Sequence, residues 1–417
     1  MKKHLTISLI VSLLVIIFFT LNYSGIVGFF TKEDQLETKS SDIEELKSLP
    51  YLSWVPVKEK ELKKIGVIKY DRNLSYKGIN IYSSRPGSEA YLIDMKGNVL
   101  HSWSSRIGSR EGWHHVEMND NGELFVIIKD KLLMKLDWNS NVKWTTDLRF
   151  HHDVAIAEDG DIYSFSRDKM EISYYSQKIP ILNEYLTIMS PNGEVKKKIS
   201  IFDLVGDKIH EVRLNNILRV VNNARNEGTK IKIGYDTPFD VFHANSLEIL
   251  DRDISGFGKK GDLLISIREL NLIAVVDVKK EKIVWSWGEN DLDRQHHPTL
   301  LENGNVLIFD NGASRRFSRV VELDPIVKKI KWEYRANPPK SFYSISRGGN
   351  QRLPNGNTLI TESDKGHVFE ITGEGRVVWE FYNPDVNKIN NKRAAIYRMM
   401  RIDLSKLSGT IRERLKL

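Results

Sequence analysis

The strongest constraint on the fold is a loose internal repeat that begins near Tyr76. Each unit opens on a short apolar stretch after a glycine turn and closes on an alternating stretch that often ends in tryptophan. The closing stretches align as "GNVLHSW" to Trp103, "SNVKW" to Trp144, "GEVKKKI" to Ile199, "KIVWSW" to Trp287, "KKIKW" to Trp332 and "GRVVW" to Trp379. The opening stretches align as "NGELFVII", "DGDIYSFS", "KGDLLISI", "NGNVLIFD" and "NGNTLITE", with a less regular "KGINIYSS" in the first unit. Alternation with period two, bounded by Gly, Asn and Asp turns, predicts β-strands joined by hairpins. The six units lie mostly about 40 to 50 residues apart, and each has room for about four strands, the size of a propeller blade. A solenoid normally repeats at a shorter or a helical period. The expected fold is therefore all-β, a six-bladed β-propeller over residues 76–387.

Two segments break the rhythm. Residues 201–226, "IFDLVGDKIHEVRLNNILRVVNNARN", carry apolar residues at helical spacing and predict a helical insertion between the third and fourth units. Residues 388–417 read as one or two C-terminal helices with basic faces. At the other end the chain has no charge from Leu5 to Thr31, longer than the ~20 residues that span a bilayer. Residues 1–31 are thus expected to be a transmembrane anchor, or a signal segment if cleaved. Lys2 and Lys3 precede the run, which places the remainder outside the cytoplasm, in a periplasm or at the cell surface. Residues 32–75 read as a polar spacer leading into the first unit.

The net charge of +7 is concentrated, because eight Lys and Arg stand against two acids from Asn391 to Leu417. The body is close to neutral, which argues against a nucleic-acid-binding face, and the basic tail is expected to be solvated. The chain has no cysteine, which excludes disulfides, thiolate nucleophiles and cysteine-based metal sites.

The histidines fall in register with the turns. His114 lies eight residues before Gly122, His152 eight before Gly160 and His296 eight before Gly304, while Gly348 holds that place before Gly356. His115, His151 and His297 flank these positions, and His243 in "FDVFHANSLEIL" precedes a longer loop. In a propeller the innermost strands line a central channel, so matching positions in different blades converge at one mouth of it. Pro298 is expected to hold His297 in extended geometry. A histidine cluster of this kind serves either metal binding or group transfer through imidazole. Asn245, two residues after His243, and Arg268 in "LLISIREL" can donate hydrogen bonds to an oxyanion, and arginine does not ligate metals. This favours oxyanion chemistry with no metal, although Asp153 and Asp310 leave a metal open.

The stretches "HHDVAIAEDGDIYSFSR", "DVFHANSLEI", "LLISIR", "QHHPTLLENGNVLIFDNG" and "QRLPNGNTLITES" resemble the bacterial arylsulfotransferases, the nucleotide-independent aryl-sulfate sulfotransferases. The resemblance spans about residues 76–383 and implies a propeller that moves a sulfuryl group from a phenolic sulfate ester to a phenol, with no cofactor. It implies that His296, after Gln295, is the nucleophile and becomes transiently sulfated. His152, His243 and Arg268 match the other catalytic positions, and Asn245 a substrate-binding one. His114 and His297 are expected beside the substrate. Arg268, Asn245 and protonated His152 or His243 would stabilise the sulfuryl oxygens, and one of those histidines would carry the phenol's proton. The chain departs from the periplasmic members in its anchor, its missing cysteine pair and its lack of a separate N-terminal β-domain. The competing expectations are a membrane-tethered propeller that binds ligands or partners without catalysis, and a metal- or quinone-dependent propeller enzyme. Oligomeric state stays open.

Overall fold

A computed structural model describes residues 53–234 and 237–417. The expected anchor at 1–31 and the expected spacer as far as residue 52 lie outside the described residues. Among the described residues, no helix is long and apolar enough to cross a membrane.

Among the described residues the chain is all-β, with seven small antiparallel sheets and few helices. The six closing stretches of the repeat fall on the fourth strands of six of these sheets, and the opening stretches on their second strands. The second sheet is His115–Met118, Leu124–Ile128, Leu132–Leu136 and Val142–Asp147, in that order. The third opens with His151–Ile156, the fourth with Ala244–Ile249, the fifth with His296–Leu300 and the sixth with Gly349–Arg352. These opening strands lie side by side in sequence order, and Gly349–Arg352 adjoins Ile396–Ile402, the inner strand of the first sheet. The sheets are therefore arranged around a common axis, as in a propeller, with the histidine-bearing strands innermost. The second strands are almost entirely buried runs such as LFVII, LLISI and VLIFD, because both of their faces meet a neighbouring sheet.

The terminal residues of the repeat have a shared use. Fourth-strand side chains donate to the backbone carbonyl in the third turn of the next sheet. Trp144 Nε1 reaches Pro191 O at 3.0 Å, Trp285 reaches Pro325 O at 2.9 Å, Trp332 reaches Gly373 O at 3.0 Å and Trp379 reaches Met95 O at 2.9 Å. Lys197 Nζ to Val278 O at 3.1 Å and His101 Nε2 to Trp138 O at 2.9 Å fill the two remaining junctions. Six such bonds run once around the molecule, each satisfying a turn carbonyl that an apolar contact would leave unpaired.

The ends differ in part from the expectation. The helical reading of residues 388–417 holds only at Gly409–Leu415. Lys392–Ala394 joins a three-stranded sheet with Trp54–Pro56 and Val386–Asn387, and Ile396–Ile402 pairs with Ile79–Ser84 as the inner strand of the first sheet. Three of the tail's five arginines are not solvated: Arg393, Arg398 and Arg401 are buried, while Arg412 and Arg414 are exposed. The expected spacer also ends early, since Gly66–Tyr70 adds a fifth strand to the sixth sheet. In the insertion, helices occupy Ile201–Val205 and Glu211–Glu227. The longer one starts at an His210 cap and ends at Gly228, whose φ of 65° suits a left-handed C-terminal cap. Its Ile217 and Val221 bury against the third and fourth sheets, where the hairpin Ile162–Tyr174 to Gln177–Met189 is unusually long.

Candidate active site

Bulges bring the histidines to the axis. The inner strands are irregular between His151 and Val154, Ala244 and Ser246, His296 and Thr299, and Ile396 and Met399. His152, His243 and His297 have φ of 62°, 51° and 47°. A left-handed backbone is uncommon for non-glycine residues, and such outliers concentrate at functional sites. His297 is accordingly not extended, as its place before proline suggested: the bulge overrides the local preference. The register counted to the glycine is only partly kept in the pairing. His115, His151 and His296, not His114, His152 and His296, pair with the equivalent second-strand residues Ile127, Phe165 and Phe309.

Three of the expected histidines touch. The ring of His152 lies 5.0 Å from that of His114 and 4.8 Å from that of His243. Its neighbour His151 stacks on Phe165, lies 3.6 Å from Glu184 and meets His152 with 2.9 Å between their Nδ1 atoms. His243 donates from Nδ1 to Asp240 Oδ2 at 2.5 Å, which leaves its lone pair on Nε2. His114 Nδ1 accepts from Arg85 Nη1 at 3.0 Å, so its proton sits on Nε2. Burial holds His114, His152 and His243 well below the ordinary imidazole range, and neighbouring positive charges add to the effect. All three are neutral near pH 7.

His296 is fixed in one tautomer. Its Nδ1 lies 2.7 Å from Asn311 Oδ1 and 3.1 Å from Arg294 O. The Asn311 amide nitrogen donates to Ser344 O at 2.7 Å and Arg347 O at 2.8 Å, so the oxygen must face the imidazole. Both groups at Nδ1 are acceptors, and the ring can satisfy them only as Nδ1–H. Its Nε2 is then a lone pair, buried and without a hydrogen-bond partner. Burial lowers the pKa of His296 to about 3, with the charges of Arg268 and Arg398 acting in the same direction and the Asn311 hydrogen bond opposing them.

Arg268 follows directly on the strand Leu263–Ile267, and its charge acts on both His243 and His296. Its Nε and Nη2 donate to Glu269 Oε1 at 2.9 and 2.6 Å. Burial pushes the Glu269 carboxyl up, but Arg268, Arg294 and Arg213 outweigh it and hold it at about 2. Arg213 comes from the inserted helix and also donates to Asp240 O at 2.8 Å, so the insertion braces the loops that carry Arg268 and His243.

Asn245 lies against the strand that carries His296. Its side-chain amide nitrogen donates to Gln295 O at 2.8 Å, and its backbone carbonyl accepts from the Tyr397 hydroxyl at 3.3 Å. It thereby holds the backbone just before His296. Gln295 is likewise structural, spending its amide on Ser266, Ile267 and Leu272 of the fourth sheet. His297 belongs to a deeper group: its Nδ1 accepts from Asn350 N, and His115, Asp153 and Arg398 act on it. Arg398 clasps Asp153 through both Nη atoms at 3.0 and 3.1 Å, and His115 lies 3.2 Å from the same carboxylate. Burial opposes ionisation of Asp153, yet Arg398 and His115 hold its pKa well below the usual carboxylate range. Asp310 is committed to Arg315 and Arg319. Among the described residues, no three His, Asp or Glu are grouped so as to hold a metal ion.

Sequence reasoning missed Asn311, Arg85, Lys129 and Arg167. A signal for them was present: each stands seven residues after the turn glycine of its unit, as Arg268 does after Gly261. It also missed Tyr397, whose ring lies 4.5 Å from that of His114 and which arrives on the C-terminal strand.

A ring of small antiparallel sheets with buried neutral histidines and arginines at its axis defines a propeller-like protein. The arylsulfotransferase (ASST) family model matches residues 97–384, and the chain belongs to that family. Family membership supports a sulfotransferase acting on small aryl sulfates and phenols. No curated protein matches the chain. Among solved structures, a protein of unknown function from Bacteroides caccae matches at 14% identity and a TM-score of 0.50, covering 78% of this chain and 98% of its own. A streptogramin B lyase matches at 9% identity and a TM-score of 0.45, with 84% and 98% covered. The Dos1 propeller matches at 11% and 0.41, with 78% and 76% covered. The first of these likenesses bears on the fold alone.

Proposed function

We propose that the chain is a six-bladed propeller that transfers a sulfuryl group between phenols through a sulfo-histidine at His296. The observation that carries this reading is the pinned Nδ1–H of His296, which leaves a buried, unpartnered lone pair on Nε2 within the field of Arg268. Nε2 attacks the sulfur of an aryl sulfate, the S–O bond to the ring breaks, and the phenolate leaves. The sulfated ring becomes cationic, and the Asn311 and Arg294 oxygens on Nδ1–H stabilise that charge. Arg268 faces the negative charge spread over the sulfuryl oxygens, a role in which one fixed donor is worth about 3 kcal/mol. His243, with its lone pair set on Nε2 by Asp240, takes the proton of the acceptor phenol as that oxygen attacks sulfur and the S–N bond breaks. No cofactor takes part. The charge-free run from Leu5 to Thr31 supports a single-pass anchor with the propeller outside the cytoplasm.

The test is to incubate the detergent-solubilised full-length chain with 4-nitrophenyl sulfate and record nitrophenol release and intact mass. Release with an adduct of one sulfuryl group on His296, both lost in His296→Asn, is the expected result. Neither release nor adduct from folded protein across several aryl sulfates would leave the binding-propeller alternative. Turnover that depends on an added metal or quinone would point to the third.

A further inference from the structure

Arg85 is a buried arginine without an acid. It opens the turn that follows the strand Ile79–Ser84 in the first sheet and is 8% exposed. Its one side-chain hydrogen bond runs to His114 Nδ1, its Nε has no partner, and no carboxylate pairs with it among the described residues. Every other buried arginine near the axis has a carboxylate: Arg167 has Asp130, Arg268 has Glu269, Arg347 has Asp364 at 3.7 Å and Arg398 has Asp153. A buried guanidinium that hydrogen-bonds only a neutral imidazole is costly unless something else supplies the negative charge.

A second orphan stands next to it. Because His114 accepts at Nδ1, its Nε2 carries the proton, and that nitrogen is also buried without a partner. Two adjacent buried donors therefore lack acceptors, and the charge of Arg347 acts on both residues. The Tyr397 ring lies 4.5 Å from the His114 ring and gives the place an aromatic wall.

We propose that Arg85 and His114 form a second oxyanion subsite, which binds a carboxylate or similar anionic substituent on the aromatic ring of the substrate. For the identity of the ring itself, this rests on the sulfuryl-transfer reading. The subsite is separate from the one that holds the sulfuryl group. The charges acting on His296 are Arg268 and Arg398, whereas those acting on His114 are Arg85, Lys129 and Arg347. His152 and His243 stand between the two groups, in ring contact with each other, and His152 also touches His114. In an exchange through a sulfo-enzyme, the leaving phenol and the accepting phenol occupy the same place. One anion subsite would thus select both, and the substrate class becomes phenols that carry an acidic group, together with their sulfate esters.

The test needs no turnover. Calorimetry on the full-length chain compares 4-hydroxybenzoate with methyl 4-hydroxybenzoate, which keeps the phenol and removes the charge. The acid is expected to bind at least about tenfold more tightly, the scale of a hydrogen bond to a charged group. Arg85→Gln should bring the two ligands to parity, and Arg85→Lys should keep part of the preference. Equal binding by the wild type overturns the proposal with no variant involved, and so does a preference that survives in Arg85→Gln. If Arg85→Gln does not fold, Arg85→Lys decides, because an undiminished preference there removes the role of the guanidinium. Failure of sulfuryl transfer is seen separately, as absent nitrophenol release, and does not alter this measurement.

Discussion

At the residue scale, reactivity depends on which ring nitrogen of His296 carries the proton, and Asn311 decides that. Its carboxamide is oriented by two backbone carbonyls, so it can only accept from Nδ1. Replacing it with alanine removes the lock and lets the ring turn or change tautomer. The expected loss is about 10- to 100-fold in the burst of nitrophenol release, the scale of a misplaced reacting group. The same nitrogen sets the sign of the pH effect. Protonation of Nε2 removes the lone pair, and that nitrogen titrates at about 3. Donor cleavage should therefore stay level as pH falls from 8 and decline only towards 3. Asn311→Asp puts a carboxylate on Nδ1–H, favours the imidazolium, and should move the acid limb upward. Single-turnover rates across pH check both statements, and an unmoved limb in Asn311→Asp would remove Asn311 from this role. The glycine register made His114, His152 and His296 legible because sequence distance from a turn is a good proxy for height along the axis, while His243, ahead of a longer loop, was legible only from its own stretch. It could not separate the members of a doublet, because that depends on bulges that alter the register by a residue or two. Arg85 and Asn311 were not found by counting back from the glycine, because they stand seven residues after it, just past the second strand.

At the scale of elements, the sixth sheet holds a histidine clamp. His367 lies 2.9 Å from Glu362 and 3.0 Å from Glu380, stacked between Phe369 and Tyr382. Burial alone would lower its pKa, but the two carboxylates outweigh burial and raise it. A folded-state pKa above the unfolded value of about 6.5 means that the clamp stabilises fully below that pH. Its contribution is lost as pH rises through the raised folded value. Thermal unfolding of the wild type should therefore show a decline from pH 6 to 9 that His367→Gln lacks, and an equal decline in both would dismiss the clamp. The outer strands were readable because their Gly turns recur and a fourth-strand side chain, a tryptophan in four of the six sheets, serves the same purpose at each junction. The strand Ile396–Ile402 was not, because "IYRMMRI" carries two arginines that look like a solvated helical face. Both are buried, Arg398 on Asp153 and Arg401 on Glu370. A charge whose partner lies more than 30 or 200 residues away leaves no local trace of that pairing.

At the scale of the whole molecule, closure of the ring and assembly of the site are one event. The first sheet lacks an inner strand until Ile396–Ile402 arrives, and that strand brings Tyr397 to His114 and Arg398 to Asp153. Asp153 in turn follows His152 and accepts from Leu247 N in the fourth sheet. Two truncations distinguish this strand from the C-terminal helix beyond it. Ending the chain at Ile402 removes the helix Gly409–Leu415 and exposes the surface that Leu407 and Ile411 cover. At about 1.5–3 kcal/mol per apolar side chain, the protein should be weakened but still unfold cooperatively and keep its activity. Ending it at Ala395 also leaves Asp153 and Glu370 as buried acids without their arginines, about 3–5 kcal/mol for each broken pair. That loss, added to three strands where four are needed, is comparable with a whole domain's net stability of about 5–15 kcal/mol. The shorter chain should show no cooperative thermal transition and no nitrophenol release. A cooperative transition in it would mean that the remaining sheets close without the C-terminal strand. In that case the Arg398–Asp153 pair would serve the histidine cluster alone, and activity would be lost while the fold survived.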